Sequence, residues 1–380
     1  MAKGVRVFVF DQDKTNVLGA FTFRNNKEYG SLAVSPVSTD LIYIEMQAMP
    51  FVLDPGKLEI GLIAVDGKTN SSSLKKDEFF GESEYCNVDV NCYSDSTIQR
   101  QKHSVVRIVY LGEERCTGTL INNTLQNGHP YVLTAQHCLP FDFFANTAVY
   151  TFEYESPICG GTDGSTQFSI SGAQIVSTTP GKLDFTLLEL SEAIPFYYHP
   201  YFSGWDRTNT APESSYTIHH PLGDVKKITI ETHEALTGDF GESYDANTFW
   251  VIPNWEVGST QKGSSGAGLI NQSNRLTGVL TGGEATCDFP VFDFFEKMYH
   301  CWDDYPDPAN QLESWLDPIN SGAETLDGYD PYDFFWKTGD TLINFHDTAS
   351  TGVVFIESFG YLSGNNVDSV KRFAEHFPSG

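Results

Sequence analysis

Tyr131-Val132-Leu133-Thr134-Ala135-Gln136-His137-Cys138 is a short apolar run that passes through a small residue into a histidine and a cysteine. Similar pieces surround it: Val105 to Tyr110, Cys116 to Ile121, Ala148 to Tyr154, Asp184 to Leu190 and Arg275 to Leu280. Each is short and punctuated by Gly, Pro or Asn. Apolar runs of this length between turn residues predict strands. Their close spacing predicts an all-β barrel or sandwich in place of alternating βαβ units. Gln311-Leu312-Glu313-Ser314-Trp315-Leu316 reads as a short helix closing this region.

Outward from that core the chain divides into three. Residues 1–80 carry strand-like pieces, Leu41 to Glu45 and Leu58 to Val65, and contain no cysteine. They end in a polar stretch, Asp66 to Asp77, which reads as an exposed linker open to proteolysis. Residues 81–328 hold the strand-rich pattern and all seven cysteines. Residues 329–380 form an aromatic, acidic tail with further strand-like pieces such as Thr351 to Ile356.

Composition narrows the function. The 380 residues are 40% hydrophobic and 14% aromatic, enough for a sizeable core. A net charge of −27, from 50 acidic and 23 basic residues, argues against nucleic acid, whose backbone needs a basic footprint. No apolar run is long enough to cross a membrane as a helix. The cysteines stand singly, with no CxxC, no HExxH and no Cys/His zinc spacing, so no metal and no cofactor is expected. Scattered cysteines in a strand-rich chain read as disulfides from an oxidising compartment. Export is therefore expected, yet Val5 to Phe10 alternates like a strand and is no signal peptide. The signal is expected to lie outside this sequence.

Three motifs carry chemistry. His137 closes the strand quoted above. Asp184 heads the apolar run Asp184-Phe185-Thr186-Leu187-Leu188-Glu189-Leu190, where burying an acid is costly unless a donor satisfies it. A histidine N–H would satisfy it and fix the imidazole tautomer. The third motif is Gly263-Ser264-Ser265-Gly266-Ala267-Gly268, a turn in which the N–H groups of Gly263 and Ser265 could converge on an oxyanion. Alone, each motif has an ordinary structural reading: a surface histidine, a strand-end acid, a flexible turn. Together they follow the order His, Asp, Ser inside one strand-rich region. Downstream, Leu276 to Leu280 runs into Thr281-Gly282-Gly283, a strand and double glycine suited to lining an extended peptide and opening a primary pocket.

These residues resemble the lysyl endopeptidase family, secreted bacterial serine proteases with the chymotrypsin double β-barrel. The likeness runs from about Tyr85 to Asp327. Its landmarks include Cys86-Asn87-Val88-Asp89-Val90-Asn91-Cys92, Cys116-Thr117-Gly118-Thr119-Leu120, the Thr134 to Cys138 block, Gly204-Trp205-Asp206-Arg207, Ile218-His219-His220-Pro221 and Trp315-Leu316-Asp317-Pro318. The resemblance implies His137 as general base, Asp184 as its orienting acid and Ser265 as nucleophile. It implies a lysine-recognising aspartate at Asp293, with Asp288 competing because the loop after Cys287 is short. Thr281 stands where well-characterised members carry histidine. The implied disulfides are Cys86 to Cys287, Cys92 to Cys159 and Cys116 to Cys138, leaving Cys301 over. The expected substrates are proteins and peptides with Lys at the cleaved position, and the expected state is a monomer. Residues 1–80 then resemble the end of a propeptide, and Lys75-Lys76 is a site such an enzyme would cut itself. Specificity for Arg or for a hydrophobic residue stays open, as does an inactive, protease-like binding or adhesion protein.

Overall fold

The computed structural model describes residues 1–37, 39–63, 80–111, 114–332, 354–356 and 360–362. The linker with Lys75-Lys76 lies outside them. Two large sheets dominate. The first runs in the order 173–178, 186–190, 131–134, 114–120, 105–110, 149–151, 169–171, antiparallel throughout. The second runs 236–238, 249–254, 291–297, 275–283, 268–271, 215–219, 227–231 and 88–89. Short strands at 204–206 and 325–326 join its flank. The chain is thus all-β, a chymotrypsin-like double barrel.

Burial explains why these segments pair. Val105–Tyr110 is buried at all but its last residue, and Tyr131–Thr134 at every residue. Strands buried on both faces read as continuous apolar runs, as these do. Leu120, Val132, Leu187 and Leu188 fill the first barrel, and Trp250, Trp255, Leu269, Leu280 and Phe295 fill the second. Among the described residues four short α-helices fall in connections, at Ser96–Gln101, Asp142–Thr147, Met298–Asp303 and Glu313–Leu316. The last begins two residues later than the pattern implied.

Residues 1–63 add a three-stranded antiparallel sheet, Val17–Phe21, Val5–Asp11 and Ile42–Ala48. It docks on the first barrel through Lys27, whose Nζ reaches Glu192 at 2.5 Å and Ser191 at 2.6 Å. The strand expected from Leu58 is not formed over 58–63, where Leu58, Ile60, Leu62 and Ile63 are exposed. Alternation marks a strand only where a neighbour completes the ladder. In the tail, Val354–Ile356 pairs with Gly360–Leu362.

Three disulfides tie the barrels: Cys86–Cys287, Cys92–Cys159 and Cys116–Cys138. Cys301 is buried and free. Cys116 and Cys138 are 22 residues apart in sequence. A closed loop of that size is worth about 3 kcal/mol in the chain-entropy view. The Cys116→Ala/Cys138→Ala double variant should melt well below the parent and label more slowly with a fluorophosphonate. An unchanged melting temperature would show that this bridge does not brace the barrel.

Candidate active site

His137 and Asp184 meet because their strands are neighbours. Thr134 pairs with Thr186, so the turn leaving the first strand and the turn entering the second lie side by side. Asp184 is fully buried. Its Oδ1 accepts the His137 backbone N–H at 3.0 Å, and its Oδ2 lies 2.8 Å from His137 Nδ1. Two donors from one residue replace the water this carboxylate has lost. The histidine itself is about one-third exposed, at 38%. Its partial burial disfavours the imidazolium, but the hydrogen bond and charge of Asp184 outweigh that and hold its pKa above the usual histidine value.

Ser265 comes from the second barrel and is seated at the seam between the two. Thr117 N donates to Ser265 O at 2.8 Å, and Cys138 Sγ lies 3.6 Å from the same oxygen. The serine backbone is thereby pinned beside the disulfide that adjoins His137. Gly266 makes this approach possible. A Cβ there would lie 2.1 Å from Thr134 Oγ1 and 2.3 Å from Thr117 O, and its φ of +85° disfavours any side chain.

The turn before the serine is held from both barrels. Thr117 Oγ1 donates to Gly263 O at 2.9 Å, and Lys262 O accepts from Leu222 N at 2.6 Å. A Cβ at Gly263, whose φ is +94°, would lie 2.8 Å from His220 O. Among the described residues no acceptor is bonded to the N–H of Gly263 or of Ser265. Ser264 is wholly buried and its Oγ lies 2.7 Å from His219 Nδ1. Burial, helped by Lys227, pushes His219 down to about 3, so it stays neutral and ties Ser264 down. His220 is likewise buried, its Nδ1 2.8 Å from Asp224 O. Both histidines are internal props of the barrel.

Asp293 is fully buried on the central strand Val291–Lys297, opposite Gly283. Its Oδ2 accepts from Trp255 Nε1 at 2.6 Å and from Thr260 Oγ1 at 2.7 Å. Burial raises its pKa to about 6, although those two donors and the Ala285 N–H pull the other way. A Cβ on Gly283 would sit 2.3 Å from Asp293 Oδ1, so only glycine lets the neighbouring strand lie against that buried oxygen. Thr281 is buried, and a Cβ at Gly282 would come 3.9 Å from Phe240 Cζ. Asp288 is placed elsewhere, on an exposed loop, where it accepts from Tyr85 Oη at 2.7 Å.

One residue of the site escaped the sequence reading. Glu296 is fully buried, and its Oε2 accepts the Asp184 backbone N–H at 2.9 Å. Its only trace in the sequence is an acid inside the apolar run Phe294-Phe295-Glu296. Elsewhere, Glu231, His233 and Glu256 bring three ligand atoms within 4.8 Å of one another on the outer part of the second barrel. They already bond among themselves, His233 Nδ1 lying 2.6 Å from Glu231 Oε1.

The steric demand at Gly266 is testable. Gly266→Ala should destabilise the chain by about 1–3 kcal/mol, as overpacking does. It should also slow fluorophosphonate labelling at least tenfold by moving Ser265 off the seam. A variant with parental melting temperature and labelling rate would refute that role for the contact.

A family model for the lysyl endopeptidase C-terminal domain matches residues 80–296. A lysyl endopeptidase of Pseudomonas aeruginosa is 30% identical over 278 residues, which cover 68% of this chain and 58% of that protein. The chain therefore spans less than two-thirds of that relative's length. Solved structures give fainter likenesses. The active form of an M. tuberculosis protease shares 18% identity, with a TM-score of 0.37, over 55% of this chain and 82% of the other. A Glu endopeptidase shares 15%, with a TM-score of 0.37, over 58% and 93%.

Proposed function

The chain belongs to the lysyl endopeptidase family, and from that premise we propose that it is a secreted serine endopeptidase that cleaves after lysine. The observation that carries the reading is the wholly buried Asp184 holding His137 by two hydrogen bonds, with Ser265 O 3.6 Å from Sγ of the next residue, Cys138. In this reading Ser265 Oγ attacks the scissile carbonyl and gives its proton to His137 Nε2. The N–H groups of Gly263 and Ser265 receive the oxyanion. His137 then returns the proton to the leaving amine, and water releases the acyl group by the same steps in reverse. Asp184 keeps the imidazole in the tautomer that can accept, and stabilises the imidazolium that forms.

Lysine preference rests on Asp293. A buried carboxylate under a double glycine offers an ammonium an opposite charge where little water competes. Secretion is supported by the disulfides, which persist in oxidising surroundings. Substrates are proteins and peptides with Lys at the cleaved bond, and the enzyme acts as a monomer without a cofactor. Residues 81–328 form the protease unit, 1–80 a propeptide and 329–380 the start of a tail module. The first boundary is supported by the buried Asp224, which accepts from Gly81 N at 3.0 Å and from Ser83 N at 3.2 Å. The segment that follows the linker is thus fastened to the barrel.

Ser265→Ala should lower peptidase activity by several orders of magnitude with folding intact. Retention of most activity would overturn the assignment and favour a binding protein. Asp293→Asn should cost cleavage after Lys on the order of 2–5 kcal/mol, the range for stranding one partner of a buried charge pair. Equal cleavage after Lys and Leu by the parent would defeat the specificity.

The pH profile separates the two roles. Asp293 is ionised at neutral pH and gains a proton as pH falls through about 6. His137, held above its usual value, gains its proton at a higher pH than an ordinary histidine. For Lys substrates kcat/KM should therefore fall below neutrality with a slope steeper than one proton, and KM should rise below pH 6. Asp293→Asn should leave a single-proton acid limb. An identical limb in parent and variant would remove Asp293 from the pocket.

A further inference from the structure

Behind the Asp–His pair lies a second carboxyl group that the catalytic cycle does not use. Glu296 sits on the central strand of the second barrel, between Phe249 and Val279 of its neighbours, with no exposure. Its Oε2 is the acceptor for the Asp184 N–H, and among the described residues its Oε1 has no hydrogen-bond partner. Side chains alternate across a strand, so Lys297 projects to the opposite side and acts on Glu296 at a distance, not as a contact partner. The Lys297 ammonium points away, bonding Asn209 and Thr237 and lying 4.2 Å from the Trp250 ring centre.

Among the described residues, the charged and titratable groups around Glu296 offer it no cation in contact. Asp184 faces it from the first barrel. From the loop before Phe249, Asp245 adds negative charge and is itself paired with Lys182 at 3.5 Å, while Tyr244 lies near Asp184. From the following helix come the Cys301 thiol and, beyond it, Tyr305, which donates to Asp245. Two carboxylates in one water-poor site do not both ionise readily, and the one with the better donors keeps the charge. Asp184 has two donors from His137, whereas Glu296 has the Asp184 N–H, the nearby Thr248 hydroxyl donating to Asp245 O at 2.9 Å.

We propose that Glu296 is a positioning residue of the triad: in its neutral form it fixes Asp184 through the backbone N–H, and on losing its proton it places a second buried negative charge behind the Asp–His pair. This rests on the triad reading above. Burial pushes the Glu296 carboxyl up to about 8, against the pull of the Asp184 N–H and Thr248. Across neutral pH the site then carries one buried negative charge. In mildly alkaline solution it carries two, and the second strengthens the hold on the His137 proton.

The test uses the full chain and two readouts. NMR of the His137 ring protons, recorded in the Ser265→Ala background, reads the charge behind Asp184 whether or not the protein is an active enzyme. The parent ring should show its main titration and a second inflection near pH 8, and Glu296→Gln should abolish the second. In the active enzyme, Glu296→Ala should lower kcat about tenfold with KM within about twofold, because Asp184 loses the acceptor for its N–H. Glu296→Gln, which keeps an acceptor oxygen, should recover most of that kcat at pH 7. The proposal is overturned if the second inflection survives in Glu296→Gln, or if Glu296→Ala keeps the parental kcat. Should Glu296→Ala not fold, the Gln variant alone decides through the titration. Loss of the triad reading would appear separately, as activity retained by Ser265→Ala.

Discussion

A carboxylate taken wholly out of water needs donors at fixed places, and Asp184 finds them on His137. Both contacts come from one residue, a backbone N–H at 3.0 Å and a ring nitrogen at 2.8 Å. That demand fixes the orientation of the imidazole, and in the proposed triad the side from which a serine would approach. It also ties the ends of two adjacent strands, so that the first barrel cannot shift its register without stranding a buried charge. Losing one partner of such a pair costs far more than the pair contributes in net stability. The arrangement is therefore specified more than it is strengthened.

The second barrel must bring Ser265 to that orientation, and it does so by backbone proximity. Thr117 serves both sides of the seam: its N–H holds Ser265 O, its hydroxyl holds Gly263 O, and its carbonyl accepts from Thr134 Oγ1 at 2.8 Å. Arg107, buried within the first barrel, reaches Gly223 O at 3.0 Å, and Arg115 reaches Leu222 O at 3.0 Å. Glycine at 263 and at 266 is required because the chains meet where a methyl group has no room. Close-packed interiors transmit such constraints, so a serine held by backbone contacts is held firmly.

Asp184, Asp293 and Glu296, all wholly buried, meet three different ends. Asp184 has two donors from a histidine that can carry the opposite charge. Asp293 has an indole, a hydroxyl and an amide, neutral groups that soften burial without cancelling it. Glu296 has the least support and is pushed furthest up, to about 8. Environment, more than residue type, sets which acid is ionised at neutral pH. Such separation of neighbouring acids is how one site keeps a fixed charge and a mobile proton apart.

The sequence alone determined the all-β class, because apolar runs such as Val105 to Tyr110 and Tyr131 to Thr134 bury whichever way they pair. It also made His137, Asp184 and Ser265 visible as candidates, since each chemistry-bearing residue sits at a strand end or a glycine turn with a local signature. Leu58 to Ile63 shows the limit of that logic, for its alternation has no ladder partner and forms no strand. Which of Asp288 and Asp293 lies buried beneath the double glycine was decided by tertiary structure, through the register that sets Asp293 opposite Gly283. Glu296 was decided the same way. Its Oε2 meets the Asp184 N–H across 112 positions of sequence. Local patterns record what a segment can bury. Only the folded chain settles which distant donor faces which acid, because burial energies depend on neighbours that the sequence does not place.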